Sequence, residues 1–150
     1  MKITFLKATI SDADQIFLLC KQLIDKYENI DNIDYEKVLL WVRKKLEHSI
    51  DEYTTIYADG KKAGYYHFYK NEDGEYELDD LYIFKEFQGR GIGSAVIKKC
   101  CSLADSPVML YVFIKNERAI SLYKRLGFEV AKIVGDSRYI MSNAKAQTNN

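Results

Sequence analysis

The sequence Leu-Tyr-Ile-Phe-Lys-Glu-Phe-Gln-Gly-Arg-Gly-Ile-Gly occupies residues 81–93 and is the most informative segment of the chain. It begins as a strand-like apolar run and then places Gly89, Gly91 and Gly93 at alternate positions where a helical pattern starts. The first turn of a helix has free N–H donors and a partial positive charge, so it stabilises a bound anion. Glycine lets a phosphate approach the backbone closely, and Arg90 adds a full positive charge. The segment predicts a phosphate-binding loop.

Glycines after a strand also form tight turns that bind nothing, so the spacing of the motif matters. A dinucleotide-binding Gly-x-Gly-x-x-Gly motif requires glycine at position 94 or 96, where the chain has Ser94 and Val96. A P-loop ends in Gly-Lys-Ser/Thr, whereas Gly93 is followed by Ser94 and Ala95. Both motifs are absent, which weighs against a nucleotide-binding module.

Two motifs in a fixed order are more specific than a single glycine-rich loop. Gln88, Gly91 and Gly93 form the pattern Gln-x-x-Gly-x-Gly. Downstream, the pattern Asn-x-x-Ala-x-x-x-Tyr-x-x-x-Gly-Phe is formed by Asn116, Ala119, Tyr123, Gly127 and Phe128. The pair resembles the acyl-coenzyme A pyrophosphate loop and the second signature of the GCN5-related N-acetyltransferases (GNAT). The resemblance is strongest over residues 75–135. It implies direct transfer of an acetyl group from acetyl-coenzyme A to a primary amine, within a ternary complex.

Length and composition set the domain organisation. A chain of 150 residues with 47% hydrophobic residues is long enough for one core and too short for two ordinary domains. We expect one domain over residues 1–142 and a disordered polar tail over residues 143–150. Lys plus Arg equals Asp plus Glu at 22 each, so no overall charge favours nucleic acid or an anionic membrane. No apolar run approaches the roughly 20 residues of a membrane span, and no signal peptide is apparent, so we expect a cytoplasmic protein.

The cysteines and histidines do not predict a metal site. Cys20, Cys100 and Cys101 lack zinc-ligand spacing with His48 and His67. We expect the cysteines on buried or half-buried helix faces. For His67, which lies in an aromatic strand, we expect a partly buried position satisfied by a hydrogen bond; the alternative is that it reaches the acceptor pocket from the neighbouring strand.

The N-terminal half shows strand and helix patterns. Residues 3–8 are typical of a strand, and Ile16 to Tyr27 keep the apolar spacing of one helix face. Asp34 is placed to cap a second helix, for which we expect five side chains to face the core: Val38, Leu39, Trp41, Val42 and Leu46. In the family that the chain resembles, this helix pair and its connector form a wall of the acceptor site.

The remaining patterns complete the predicted sheet. Asp59-Gly60 between two β-rich runs favours a hairpin with a type I′ turn. The later elements are a strand at 75–83, a helix after the glycine loop, a strand at 108–114, a helix at 116–126, and strands at 128–134 and 138–142. This alternation implies at least one parallel strand pair. We therefore expect an α/β, single-domain acyl-CoA N-acyltransferase fold, with a mixed, mostly antiparallel sheet flanked by about four helices.

The resemblance also assigns the cofactor-binding residues. The loop amides and the Ser94 hydroxyl would bind the pyrophosphate, while Lys98 and Lys99 are either near its charge or on a solvated helix face. The strand before the loop splays from its neighbour in this family, so its backbone would bind the pantetheine arm, with the Ile83 amide donating to the thioester carbonyl. The full set is Leu81, Tyr82, Ile83, Gln88, Gly89, Arg90, Gly91, Ile92, Gly93, Ser94 and Asn116.

Two residues of the second motif have alternative roles. Tyr123 matches the family's tyrosine that protonates the departing thiolate, but its helical spacing with Ala119 and Leu126 is also typical of a core residue. Asn116 resembles a residue that binds the pantetheine arm, and it also stands where a helix favours an N-cap. We expect Gly127 to end this helix.

The strand before the glycine loop offers candidate general bases. Regular alternation places Glu77 and Asp79 on the face of Leu81, and places Asp80 with Leu78 on the other face. By the resemblance, Glu77 ranks first as the base and Asp80 second. The alternative is that these carboxylates are only surface charges or only attract the amine substrate. The acidic strand suits a cationic amine such as a polyamine, a lysine side chain or an aminoglycoside.

A non-catalytic acyl-coenzyme A sensing domain on the same fold is the rival hypothesis. Such a domain would keep the glycine loop and tolerate loss of Tyr123 and of the acidic residues, all of which are present. The resemblance also makes a homodimer an expectation, although no interface is visible in the sequence.

Overall fold

The computed structural model describes residues 1–144. Within them, the α-helices are α1 (Ala13–Tyr27), α2 (Tyr35–His48), α3 (Ile92–Leu103) and α4 (Glu117–Arg125). The strands are β1 (Ile3–Lys7), β2 (Tyr53–Ala58), β3 (Lys61–Lys70), β4 (Tyr76–Ile83), β5 (Val108–Phe113), β6 (Glu129–Val134) and β7 (Arg138–Ser142). These bounds agree with the sequence patterns to within a few residues.

The described strands form one seven-stranded sheet in the order β1-β2-β3-β4-β5-β7-β6. The β4–β5 pair is parallel, because α3 carries the chain back across the sheet between these strands. The other neighbouring strands are antiparallel. The predicted mixed, mostly antiparallel α/β fold with four helices is confirmed.

Apolar side chains cover both faces of the sheet. One core cluster contains the buried residues of α3, together with alternate residues of the central strands. The other contains Ile16 of α1, Leu46 of α2 and three tyrosines of the sheet: Tyr53, Tyr65 and Tyr82. Tyr65 and Tyr66 are consecutive and belong to different clusters, as expected for opposite faces of a strand.

β4 contains a bulge at Asp79. On β3, the neighbours His67 and Phe68 lie opposite Asp80 and Leu78, respectively, so Asp79 is an extra residue in β4. A bulge of this kind bends the strand and interrupts the alternation of its side chains. Residues before and after Asp79 therefore do not follow a single two-residue period.

Because of the bulge, the side chains of β4 are distributed over the two faces of the sheet differently from what regular alternation predicts. Leu78 packs in the cluster under α3, as Leu81 and Ile83 do, and not with Asp80. Tyr82 packs on the opposite face, against α1 and α2. The prediction that Leu78 shares a face with Asp80 is wrong, because it assumed an unbroken strand.

β4 and β5 separate after a short paired segment. They pair from Tyr76 opposite Val108 to Leu78 opposite Leu110. Beyond that point β4 continues beside β3, while β5 continues beside β7. Among the described residues, the edge of β4 that faces β5 has no strand partner over residues 80–83. The separation implied by the family resemblance is therefore present.

Gly64 of β3 lies opposite Ile83, where β3 and β4 approach most closely. A Cβ on Gly64 would lie 1.9 Å from the backbone carbonyl oxygen of Tyr82, a contact that side-chain rotation cannot relieve. We expect Gly64→Ala to lower the free energy of unfolding by about 3 kcal/mol, the upper part of the range for overpacking. Urea denaturation followed by circular dichroism measures this loss.

Gly93→Ala is the control for Gly64→Ala. A Cβ on Gly93 would lie 3.5 Å from Leu122, an ordinary contact, and the residue is in the first turn of α3. We expect unchanged stability or a gain of roughly 0.5–1 kcal/mol. Equal losses in the two variants would refute the steric explanation.

The structure also bears on the predicted core face of α2 and on the predicted C-terminal tail. Trp41 is 62% exposed, so the prediction that it faces the core is wrong; α2 buries Leu46 and leaves Trp41 on its solvent side. The predicted tail begins at residue 143, but the side-chain oxygen of Asn143 accepts a hydrogen bond from the Val108 amide at 2.7 Å. Residues 145–150 of that tail lie outside the described residues. Within residues 1–144, every helix is too short or too polar to cross a membrane.

Candidate active site

The glycine loop ends in an open helix N-terminus. Gly89 and Gly91 have positive φ values of 77° and 80°, and Gly91 is the N-cap of α3. The first bond of the helix runs from the Ala95 amide to the Gly91 carbonyl at 3.1 Å, so the preceding amides of the turn remain available to an anion. A Cβ on Gly89 or Gly91 would meet no atom within 4 Å, so the space above the loop is open.

Gln88 connects the loop to β4 and α4. Its side-chain amide donates to the Ile83 carbonyl at 3.0 Å, and its side-chain oxygen accepts from Arg118 of α4 at 3.1 Å. The Arg90 guanidinium lies over the Phe87 ring, 5.5 Å from its centroid. Gln88 thus holds the end of β4 and the start of the loop in one place. Ile92 is buried beneath the loop and Ser94 is half-buried.

Lys99 lies away from the loop. Its ammonium is 3.6 Å from the centroid of the Phe5 ring on β1. Lys98 is exposed on α3. Lys98 is therefore solvated and Lys99 packs on an aromatic ring, and neither lysine is placed as a contact of the glycine loop.

Tyr123 lies on α4 and packs against the cluster under α3 while remaining half-buried. Burial, and then the charge of Asp80, raise the pKa of Tyr123 to about 12. The phenol is therefore protonated at neutral pH, the state that a general acid requires. The end of α4 is fixed because the Phe128 amide donates to the Tyr123 carbonyl at 3.0 Å and Gly127 has a φ of 93°.

Asn116 caps α4. Its side-chain oxygen accepts a hydrogen bond from the Ala119 amide at 3.3 Å, which confirms the capping role. Phe128 is fully buried, and Gly127 occupies a left-handed conformation as predicted. The second motif therefore shapes α4 and its end. Tyr123 packs against the core cluster, and its hydroxyl makes no hydrogen bond to the described residues.

Asp80 is held by two tyrosines on the face of α1 and α2. The Tyr53 hydroxyl donates to one carboxylate oxygen at 2.5 Å, and the Tyr82 hydroxyl donates to the other at 2.9 Å. Burial, and then the charge of Asp79, raise the pKa of Asp80 above its usual range. A carboxylate with a raised pKa is a better proton acceptor than an exposed one.

Asp79 has a different environment from its neighbour. It accepts hydrogen bonds from Lys45 at 2.8 Å and from His67 at 3.3 Å, and the other ring nitrogen of His67 lies 2.6 Å from Glu52. Burial acts to raise the pKa of Asp79, but the His67 hydrogen bond and the Lys45 charge bring it below its usual value. The two adjacent carboxylates are therefore pushed in opposite directions.

His67 is 1% exposed and both of its ring nitrogens have hydrogen-bond partners, so it is satisfied as expected but more deeply buried than the predicted partial burial. Burial alone would lower its pKa, but the hydrogen bonds to Asp79 and Glu52 raise the pKa of His67 above its usual value. Its ring stacks between the rings of Tyr53 and Tyr69, at centroid distances of 4.5 and 4.4 Å. The three stacked rings lie beside β4, on the face of the sheet that carries the acidic side chains of β4.

Glu77 accepts a hydrogen bond from the Tyr69 hydroxyl at 2.6 Å and is 7% exposed. Alternation places Glu77 with Leu81, but its bond to Tyr69 is on the opposite face, with the stacked rings. The structure brings Glu77, Asp79 and Asp80 together on that face.

Donor atoms of His67, Asp79 and Asp80 lie within 4.8 Å of one another, a spacing that a metal ion can use. Each of these side chains is already hydrogen-bonded to the protein, and the Lys45 ammonium lies against Asp79. The cluster is thus a network of protein groups.

No sequence pattern marks Lys45, Glu52 and Tyr53 as neighbours of these carboxylates. They come from α2, from the turn before β2 and from β2 itself, and only the packing of α2 on the sheet brings them to β4. A residue 34 positions away from its partner has no local pattern that marks it.

Curated relatives align with this chain over short segments. An uncharacterized N-acetyltransferase of Methanocaldococcus jannaschii is 40% identical over 62 residues, which are 39% of this chain and 27% of that protein. A thialysine N-epsilon-acetyltransferase of Bos taurus is 44% identical over 54 residues, 33% of this chain and 32% of that protein. A probable spermine N(1)-acetyltransferase of Bacillus subtilis is 36% identical over 64 residues, 39% of this chain and 42% of that protein. These alignments span less than half of each relative.

Solved structures match over almost the whole chain. The PaiA N-acetyltransferase of Thermoplasma acidophilum, in complex with coenzyme A, has a TM-score of 0.70 and 20% identity, and the match covers 97% of this chain and 100% of that chain. An N-acetyltransferase of Staphylococcus aureus has a TM-score of 0.71 and 18% identity, covering 93% and 98%. At this identity the matches establish the fold. The model of the acetyltransferase (GNAT) family matches residues 17–128, and the chain belongs to that family.

Proposed function

We propose that this chain is an N-acetyltransferase that moves the acetyl group of acetyl-coenzyme A directly to a primary amine. The observation that carries the proposal is the separation of β4 from β5 beside the open N-terminus of α3. The unpaired edge of β4 leads to the glycine loop, and the negative charge of Asp80 raises the pKa of Tyr123. One protonated phenol and one carboxylate with a raised pKa form a matched acid and base.

The loop fits a pyrophosphate and the splayed strands fit an extended arm. The first-turn amides of α3 and the positive-φ glycines provide donors with open space above them. The free edge of β4 over residues 80–83 offers backbone groups to the amide groups of pantetheine, as an added strand would. No metal or covalent enzyme intermediate takes part in this scheme.

The residues would perform the two proton transfers of the reaction. Asp80 accepts the proton of the attacking amine as the new C–N bond forms. Tyr123 donates its proton to the sulfur as the C–S bond breaks, so that a neutral thiol leaves. The Ile83 amide would donate to the oxyanion that develops on the carbonyl.

We favour Asp80 over Glu77 as the base, although the sequence ranks Glu77 first. Asp80 lies beyond the point where β4 and β5 separate, whereas Glu77 lies within the paired segment, opposite Met109. Asp80 also contributes to the raised pKa of Tyr123. The Glu77 carboxylate is engaged by Tyr69 inside the sheet.

The acceptor that we propose is a cationic amine. Four carboxylates, from Glu52, Glu77, Asp79 and Asp80, share the face of the stacked rings, opposed by Lys45 and His67. Two of the relatives are named for acceptors of this kind, thialysine and spermine. A peptide N-terminus is a further class, because an Arabidopsis thaliana Naa50 structure with a peptide bisubstrate analogue has the same fold.

The test is release of free thiol from acetyl-coenzyme A with a panel of amines. The panel contains polyamines, thialysine, lysine peptides, peptides with a free N-terminus and aminoglycosides, and coenzyme A binding is measured by calorimetry in parallel. We expect binding and turnover with one class. Tight binding with no turnover across the panel would favour the sensing domain, and no binding would refute the cofactor assignment.

Gly91→Trp tests the loop directly. The residue has a φ of 80° and an empty space where the side chain would project, so a tryptophan would occupy the volume assigned to the pyrophosphate. We expect coenzyme A affinity to fall by tenfold or more, about 1.4 kcal/mol or greater. Gly74→Trp is the matched control, because Gly74 has a φ of 78° and equally open surroundings in the β3–β4 turn. Equal affinity in the two variants would contradict the assignment.

A further inference from the structure

Lys45 of α2 reaches across to the bulge of β4. Its ammonium lies 2.8 Å from a carboxylate oxygen of Asp79 and 5.3 Å from the centroid of the Trp41 ring. The Lys45 side chain is 38% exposed, while that of Asp79 is 13% exposed. The charged end of Lys45 is thus seated between a mostly buried carboxylate and an aromatic ring.

A carboxylate together with an aromatic ring is the chemistry that recognises an alkylammonium group. Burial acts to lower the pKa of Lys45, but the negative charges of Asp79, Asp80 and Glu77 outweigh it and raise that pKa. Lys45 therefore stays charged and is held as a counterion. It occupies an ammonium position beside the candidate base Asp80.

The occupied position changes what the pocket presents to an acceptor. Donor atoms of Asp79 and Asp80 lie within 4.8 Å of each other, so an amine bound at Asp80 has the Lys45 ammonium as a close neighbour. Like charges at this distance repel strongly where water is partly excluded. An acceptor with a second ammonium close to its reacting amine meets that repulsion, and an acceptor with one charge does not add to it.

We propose that Lys45 sets acceptor selectivity by filling the ammonium position formed by Asp79 and Trp41, so that acceptors with a single nearby charge are preferred over short diamines. This inference rests on the proposed function, because it concerns the acceptor of the same site. It goes beyond that function by naming the residue that discriminates between acceptors. Unfavourable contacts with the wrong ligand are a general source of specificity.

The test compares butylamine with 1,4-diaminobutane, which share a four-carbon chain and differ by one ammonium. We expect Lys45→Met to raise the ratio of kcat/KM for the diamine over that for the monoamine by about tenfold or more. The change should be mainly in KM for the diamine. Lys45→Arg keeps the charge and should keep the original ratio.

Lys44→Met is the matched control. Lys44 precedes Lys45 on the same helix and is exposed, so its removal changes the net charge of α2 equally without emptying the position at Asp79. We expect this variant to keep the original ratio. Lys45→Gln serves as a second test variant, and thermal unfolding of each variant reports whether α2 still packs on the sheet.

Trp41 provides a readout that does not depend on catalysis. It is the only tryptophan in the chain, and its ring adjoins the position that Lys45 vacates. We expect 1,4-diaminobutane to change the tryptophan emission of Lys45→Met at about tenfold lower concentration than that of the original protein. Butylamine should show no such gain.

The outcomes separate this inference from the proposed function. Acetyl transfer by the original protein with an unchanged acceptor ratio in Lys45→Met would overturn the inference and leave the proposed function intact. An equal loss for both amines would also overturn it, because Lys45 would then have only a structural role. A gain in diamine binding at Trp41 without thiol release from any amine of the panel would support the filling of the ammonium position by Lys45 and would count against the proposed function.

Discussion

Asp80→Asn is expected to lower kcat/KM for the amine by roughly 10²–10⁴-fold, the contribution typical of general base catalysis. The asparagine oxygen can still accept a hydrogen bond from Tyr53 or Tyr82, so the shape of the site is largely kept. What is lost is the ability to take a proton from the amine. The measurement is steady-state release of thiol at saturating acetyl-coenzyme A.

The pH dependence gives a second signature of Asp80. The base acts when it is deprotonated, so the rate should fall as the pH drops through the pKa of Asp80. Burial and the Asp79 charge raise that pKa, so this acid limb should lie above the ordinary aspartate value of about 3.9. Asp80→Asn should lose the limb.

Glu77→Gln is the control for Asp80→Asn. The glutamine oxygen can still accept from the Tyr69 hydroxyl, so the hydrogen bond inside the sheet survives. We expect a much smaller loss of kcat/KM in this variant. A large loss in Glu77→Gln together with a small one in Asp80→Asn would transfer the base to Glu77.

Tyr123→Phe should lower kcat by roughly 10²–10⁴-fold while coenzyme A affinity remains unchanged. The substitution removes only the hydroxyl, and the ring still packs beside Phe128, 6.0 Å between centroids. Because the pKa of Tyr123 is about 12, the unsubstituted protein should not lose turnover through ionisation of this residue until the pH approaches that value. Thiol release and calorimetric binding of coenzyme A measure the two quantities.

Tyr139→Phe is a matched control for the acid. Tyr139 lies on β7 and packs, half-buried, against the same core cluster as Tyr123. Loss of its hydroxyl should leave kcat near the original value. Unchanged turnover in Tyr123→Phe would remove the acid role and return Tyr123 to the core interpretation.

The glycine loop and the order of elements were predictable because their signals are local. Gly89 and Gly91 adopt the positive-φ conformation that glycine favours, and Asp34 and Asn116 accept the capping hydrogen bonds that their positions predict. The Asp59-Gly60 turn has positive φ at both residues, as a type I′ turn requires. Each of these features depends on neighbours within a few residues.

The environments of the acidic side chains were not predictable. Glu77, Asp79 and Asp80 are evident as carboxylates in the sequence, but a one-residue bulge places Asp80 on the same face as Glu77 and Asp79, beside the stacked rings. No turn residue or glycine marks the bulge at Asp79 in the sequence. Opposite pKa directions for Asp79 and Asp80 arise because Lys45 and His67 contact only one of them.

The sequence by itself determined the family, the loop and the candidate acid, because motifs of fixed spacing specify helix ends and turns through local backbone geometry. Only the tertiary structure decided which carboxylate is held by two tyrosines beyond the separated strands and which is paired with Lys45. That choice depends on where α2 packs against β4, and the packing brings Lys45 to Asp79 across 34 positions of chain. Contacts of that range are set by burial of whole helix and sheet faces, which no local pattern encodes.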